Sequence, residues 1–522
     1  MRQILLLLFA LLAAIPAWAQ SDLAPLASSS FDDIRRGVDA LALSGDPRAA
    51  VVLEALQAGR LVVGPDKAFY IKDPSGTLVA AGTGEPATAA GPTRPVRLNN
   101  SVRRSIDSAL GSLRLFARDP NDRATAAEAV FKARDAAALP VLDRALAKET
   151  DPDVRRTLQQ ARAAALLATP EASEPDKLAA VRIIRQRGDL DARGLLASLS
   201  GQPASVMTEA AAGVAAIDRT LQLWSLAQGA FYGISLGSVL LLAAAGLAIT
   251  FGVMGVINMA HGEMVMIGAY VTYIVQEVIR QHAPGLFGAS LLIAVPLAFL
   301  VSGAIGVLIE RTLIRYLYGR PLETLLATFG LSLVLQQAVR TIFGPTNREV
   351  GTPAWMSGSG MIGQLTLTYN RVAIIVFAIL VFAALMAVLR YTSLGLRMRA
   401  VTQNRRMAAA MGINTPWVDA LTFGLGSGVA GMAGVALSQI DNVSPNLGQG
   451  YIIDSFMVVV FGGVGNLWGT AVAALTLGVV NKFLEPVAGA VLGKIVVLVL
   501  LILFIQRKPR GLFPLKGRAV EA

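Results

Sequence analysis

Apolar residues in the second half of the chain gather into nine stretches, at about 229–250, 256–275, 289–309, 322–343, 371–390, 417–440, 452–464, 467–484 and 488–506. A helix needs about 20 consecutive apolar residues to cross a bilayer, so the longer stretches predict spans. The seventh is short, and it and the eighth read as broken or tilted helices. From about Ser21 to Gln228 the apolar positions instead keep a helical period broken by Asp-Pro and Gly, with no run long enough to cross. Asp119 and Asp151 each precede a proline, as helix caps do, and Leu139, Leu142 and Leu146 fall on one helical face. Lys67 to Ala81 alternates around Asp73-Pro-Ser-Gly and predicts a small β-hairpin, after which Gly82 to Pro95 reads as a flexible link.

These patterns predict a mainly α protein: a polytopic membrane domain of about nine spans, residues 223–514, preceded by a soluble helical-repeat domain, residues 20–222. The Asp119 and Asp151 unit resembles a HEAT-type hairpin, and Asp176–Arg187 with Asp189–Leu199 predicts a further, degenerate pair. Met1-Arg2, the apolar run Ile4 to Ile15 and Ala17-Trp18-Ala19 read as a cleaved signal peptide over residues 1–19, the alternative being a first membrane anchor. Residues 515–522 form a short tail.

Charge sharpens this division. From Gly229 onward there are 19 Lys+Arg and 10 Asp+Glu, a net of +9, which leaves +2 of the total of +11 for the rest. The excess sits in the membrane half, where cytoplasmic loops collect Arg and Lys, and calls for no nucleic acid. The first stretch then enters from outside. Arg311, Arg315 and Arg320, the loop Arg390 to Arg406 and the tail from Arg507 fall in the cytoplasm of a bacterial inner-membrane protein whose N-terminal domain is periplasmic. With no Cys and two His, the chain offers no thiol chemistry and no metal centre, and no catalytic set emerges.

The candidate chemistry lies in Phe251 to Tyr270, which carries Asn258, His261 and Glu263 at or near membrane depth. Such groups face a bundle interior or a watery path, unless this stretch is a helix end wetted by headgroups. On one unbroken helix Asn258 and His261 share a face while Glu263 lies about 200° round from His261, so all three converge only if the helix breaks near Gly262. Asn258 and His261 are expected to face the route or the inner helix contacts, and Glu263 to hydrogen-bond a neighbouring helix or its own interfacial backbone. Gly462, Gly463 and Gly465 imply a second break, and breaks at depth line cavities. Glu263 and Asp454 are the acids near the route, with no evident basic partner, which favours a neutral solute.

Gly246 to Met264, the basic segment Leu394 to Asn414 and Gly462-Gly-Val-Gly-Asn-Leu-Trp-Gly-Thr resemble the branched-chain amino-acid type permeases of ABC importers. The exported extension is similar to that of the urea permease subunits. The resemblance implies a non-enzymatic subunit that moves urea by alternating access, with a branched-chain or other amino acid as the alternative solute. A membrane-anchored sensor or scaffold is the reading from another class. It further implies a second permease subunit, two cytoplasmic ATPases and a periplasmic solute-binding protein as partners. ATP and Mg are used by the ATPases, since this chain lacks the Gly-x-x-x-x-Gly-Lys-Ser/Thr phosphate cradle. The family's coupling helix falls on Leu396 to Gly412, with Arg399, Asn404, Ala408, Ala409 and Gly412 at the matching positions. Arg397, Arg399, Arg405 and Arg406 make it basic enough to meet an ATPase groove, and Gly412 is placed to end it.

Overall fold

A computed structural model describes residues 23–28, 30–44, 48–73 and 77–513. The expected signal at 1–19, most of the hairpin turn at 73–76 and the tail at 515–522 lie outside them. The chain divides into two compact units, Met1–Leu221 and Gln222–Ala522.

The first unit opens with helices α1 (Phe31–Ser44) and α2 (Ala49–Gln57), strands β1 (Leu61–Val63), β2 (Phe69–Lys72), β3 (Leu78–Ala80) and β4 (Arg94–Pro95), and helix α3 (Asn100–Arg114). The four strands form one antiparallel sheet in the order β3-β2-β1-β4. The alternation around Asp73 gives the β2-β3 pair, with Tyr70 opposite Ala80 and Lys72 opposite Leu78. The expected link does more than connect, because Arg94 and Pro95 pair with Val63 and Val62 at the sheet edge, where a proline's missing N–H costs no ladder bond. Ile34, Val38, Leu53, Leu56, Phe69, Val102 and Ile106 fill the core between sheet and helices.

Next come α4 (Pro120–Ala133), α5 (Leu139–Lys148), α6 (Pro152–Leu167), α7 (Glu174–Arg187) and α8 (Leu190–Ala197). Asp119 accepts from the Asn121 N–H, and Asp151 from those of Asp153 and Val154, so each satisfies donors that the first turn leaves free. Leu142 is fully buried, with Leu139 and Leu146 packed beside it. Glu149, ahead of the Asp151 cap, takes a two-pronged bond from Arg123, at 2.7 and 2.9 Å, and accepts from the Thr150 and Asp151 N–H groups. The Arg123 bond, with those backbone donors, holds the Glu149 carboxyl below the usual glutamate range despite burial.

Glu149→Gln removes the negative charge opposite the part-buried Arg123 guanidinium, which keeps only its bonds to the Ala117 and Arg118 carbonyls and a neutral amide oxygen. In the full-length protein it should lower hydrogen-exchange protection across α4 to α6 about 100-fold at neutral pH, about 3 kcal/mol. A depressed folded pKa contributes stability above the unfolded value near pH 4.3, and that stability is lost as pH falls through the lower folded one, so the difference between variant and parent should shrink below about pH 4. Unchanged protection at pH 7 would refute this role.

The second unit holds the remaining helices: α9 (Ala204–Met254, which begins in the first unit), α10 (His261–His282), α11 (Ser290–Thr312), α12 (Pro321–Phe343), α13 (Tyr369–Tyr391), α14 (Ser393–Gln403), α15 (Arg405–Ala410), α16 (Thr415–Leu437), α17 (Leu447–Gly462) and α18 (Leu467–Arg507). A two-stranded ribbon, β5 (Ser359–Ile362) and β6 (Leu365–Thr368), precedes α13. Each of the nine apolar stretches falls largely within a helix. Six helical segments among the described residues are long and apolar enough to cross a membrane: Ala204–Met254, Pro284–Tyr316, Pro321–Phe343, Tyr369–Tyr391, Thr415–Leu437 and Leu467–Arg507.

Two of those nine stretches lie in α18, which is not one straight rod. Gly489, at φ 76° and ψ 164°, interrupts it. A Cβ on Gly493 would lie 3.6 Å from that of Leu484, whereas nine residues of straight helix span about 13.5 Å. At the far end a Cβ on Gly469 would lie 3.2 Å from that of Phe513. The chain therefore reverses at Gly489, and the eighth and ninth stretches lie side by side as a helical hairpin.

Candidate functional site

The helical period of α9 stops at Met254, and Gly255, at φ 69°, starts an irregular segment that lasts to Ala260. His261, the first residue of α10, bonds through Nε2 to the Ala243 carbonyl at 2.9 Å, and its Cε1 lies 3.0 Å from where a Cβ on Gly246 would sit. Ala243 and Gly246 precede the end of α9 by 11 and 8 residues, about 16 and 12 Å of helix. After Met254 the chain therefore turns back along α9, and α10 starts well inside the bundle. Asn258, His261 and Glu263 are all buried. The break comes before Gly262, so Asn258 shares no helix with His261. Its side chain accepts from the Ala260 N–H at 3.0 Å and shapes the turn.

With a carbonyl as acceptor, Nε2 of His261 carries the proton, and Nδ1 of the neutral ring is then a bare acceptor without a partner among the described residues. Glu263 takes bonds on Oε1 from Ser332 Oγ at 2.8 Å and Gln336 Nε2 at 2.7 Å, both on α12, while its buried Oε2 has none. Gly262 meets Gly448, at the start of α17, backbone to backbone. Two helix N-termini thus converge at depth. Neither Ala260 nor Asn446 caps its helix with a side chain.

Asp454 overturns one expectation. Lys494, in the second arm of the α18 hairpin and 40 residues away in sequence, donates to its Oδ2 at 2.8 Å, so this acid has a basic partner that only the reversal at Gly489 brings near. The glycine-rich break is present: α17 ends at Gly462, Gly463 and Gly465 have φ of 103° and 81°, and Asn466 caps α18 through the Gly469 N–H. The Leu512 and Phe513 N–H groups donate to the carbonyls of Phe461 and Gly462 at 2.9 and 3.1 Å, so the segment after α18 closes over it.

The basic segment folds into α14 and the short α15. Asn404 caps α15 through the Met407 N–H. Gly412, at φ 85°, ends it: its N–H donates to Ala409 O and that of Ile413 to Ala408 O, the paired bonds of a Schellman turn. Ala408 is buried and Ala409 exposed, whereas Arg399 folds back to donate to the Leu389 carbonyl at the end of α13. Arg405 also bonds back toward the bundle, onto Asp419 at 2.6 Å. Charge counting did not single out Met407 and Met411, four apart and 61% and 79% exposed, which give this face its apolar surface.

Residues 229–505, just over half of the chain, match the family described as branched-chain amino acid transport system, permease component, and the chain belongs to that family. It is 32% identical over 294 residues to the high-affinity branched-chain amino acid transport system permease protein LivH of Salmonella typhimurium, covering 55% of this chain and 94% of the relative. It is 31% identical over 287 residues to the corresponding BraD of Pseudomonas aeruginosa, 54% and 93% of the two chains. A shorter likeness, 30% over 113 residues, links it to the ribose import permease RbsC of Escherichia coli, at 20% and 35% coverage. No solved structure matches. Family and apolar helices together make this a multi-pass membrane protein, a transport permease component.

Proposed function

We propose that the chain is the translocating permease subunit of an ATP-driven importer of branched-chain amino acids. The match carries this reading, since relatives named for that transport align over more than nine-tenths of their own length. The site's chemistry supports a zwitterion. The uncapped N-termini of α10 and α17 suit a carboxylate, while His261 Nδ1 and Glu263 Oε2, bare acceptors in the first turn of α10, suit an ammonium. The preference for a neutral solute rested on Glu263 and Asp454 both lacking a basic partner; Lys494 supplies one to Asp454, while Glu263 is held by the neutral Ser332 and Gln336.

Urea is the second reading. It is favoured by the first unit, whose residues lie before the matched span and whose paired helices resemble the exported repeats of urea permease subunits. The partners are a second permease, two cytoplasmic ATPases that use ATP and Mg, and a periplasmic solute-binding protein. The first unit lies in the periplasm and nine crossings bring the tail to the cytoplasm. A phosphatase fused after Gln222 should be active and one fused at Ala522 silent; the reverse pattern would refute this orientation. For the solute, ATP hydrolysis by the purified complex should rise when its binding protein is loaded with leucine, isoleucine or valine. A rise with urea and none with leucine would replace the first reading with the second.

A further inference from the structure

Arg405 opens α15 and reaches away from the exposed side of that helix. Its Nη2 donates to Asp419 Oδ1 at 2.6 Å, and its guanidinium lies 4.6 Å from the centre of the Tyr318 ring. Asp419 sits in the first turns of α16 with its side chain 1% exposed. Around the pair are the buried Glu310 at the end of α11 and Arg311, which faces Glu310 at 3.8 Å and stacks over Trp417 of α16 at 4.2 Å. A carboxylate this buried is costly unless paired, and Arg405 is the cation bonded to it.

The same short helix therefore has two faces. Met407 and Met411 point outward, while Arg405 is tied inward to α16. Its ends are fixed by the Asn404 cap and the Schellman turn at Gly412. From Asp419, α16 runs 15 residues, about 22 Å, to Gly434, which lies against the backbone of Val265 and Ala269 in α10. Val265 is one turn beyond His261. A pull on Arg405 thus acts on a helix packed directly against the proposed solute route.

We propose that Arg405 is a positioning residue: its ion pair with Asp419 latches the ATPase-facing helix to α16, so that movement of the ATPases is delivered to the solute route. This rests on the chain being an ATP-driven permease, but not on which solute it moves.

The test uses the complete complex in proteoliposomes and reads both ATP hydrolysis and uptake of whichever solute the parent complex transports. Arg405→Ala should assemble, keep hydrolysis within about twofold, and lose at least about tenfold in uptake, so that ATP consumed per solute rises about tenfold. Arg405→Lys, which keeps the charge without the planar fork, should recover part of the uptake. Arg405→Asp combined with Asp419→Arg should transport better than either single change.

Unchanged uptake in Arg405→Ala would overturn the proposal. So would a proportional fall of hydrolysis and uptake, or a lysine variant no better than alanine. If Arg405→Ala does not assemble, the double variant decides: assembly with a near-parental ratio supports the latch, and its failure overturns it. Transport of urea in place of leucine would correct the solute and leave the latch intact, whereas a parent complex without ATP-driven uptake would remove both.

Discussion

Gly448→Ala should abolish recovery of the intact complex, while Gly450→Ala, one half-turn along α17, should leave it unchanged. A Cβ at Gly448 would lie 2.5 Å from the Gly262 carbonyl oxygen and 3.0 Å from the Glu263 nitrogen, whereas one at Gly450 would meet nothing within 4 Å. The obstacles at Gly448 are backbone atoms of the helix start that carries His261 and Glu263, so no rotamer change relieves them. Overpacking of this kind costs about 1–3 kcal/mol, and small residues are what allow helices to approach so closely in lipid. Complex yield after purification reads the effect. Equal yields for the two variants would mean that α10 and α17 are free to separate and that their convergence is not a fixed feature of the site.

His261→Ala is expected to assemble near parental yield and to lose about 10- to 100-fold in uptake. The ring's bond to Ala243 joins a carbonyl already inside α9, so its loss is tolerable for the fold. What disappears is a buried acceptor beside the converging helix starts, and an unpaired polar group at such a place costs about 1–3 kcal/mol, which sets that range of rates. Glu263→Gln is the companion, because an amide oxygen still accepts from Ser332 and Gln336. It should also assemble, and should transport less only if Oε2 meets a positively charged solute group. If His261→Ala transports normally, this stretch supports the bundle without touching the solute.

Features set by neighbours along the chain were legible in the sequence. The apolar stretches, the caps at Asp119 and Asp151, the hairpin around Asp73 and the stop at Gly412 each follow from a few consecutive residues, and each is present. Features that depend on distant partners were not. Lys494 reaches Asp454 only because the chain reverses at Gly489, and no periodicity records that turn. Pro95 becomes a strand residue because β1, about 30 residues earlier, offers an edge. Arg405 was one arginine among four in a basic loop until Asp419 gave it a direction. The spacing of the polar residues made convergence conditional on a break near Gly262, whereas the helix stops at Met254 and Gly255 turns the chain.

Branched-chain amino acids are the proposed solutes of this permease. The most direct test is accumulation of labelled leucine in proteoliposomes that hold the complete complex, with ATP sealed inside and the binding protein outside. ATP-dependent accumulation above the external concentration is expected, competed by unlabelled isoleucine and valine and not by urea. Accumulation of labelled urea, with leucine merely equilibrating, would contradict it.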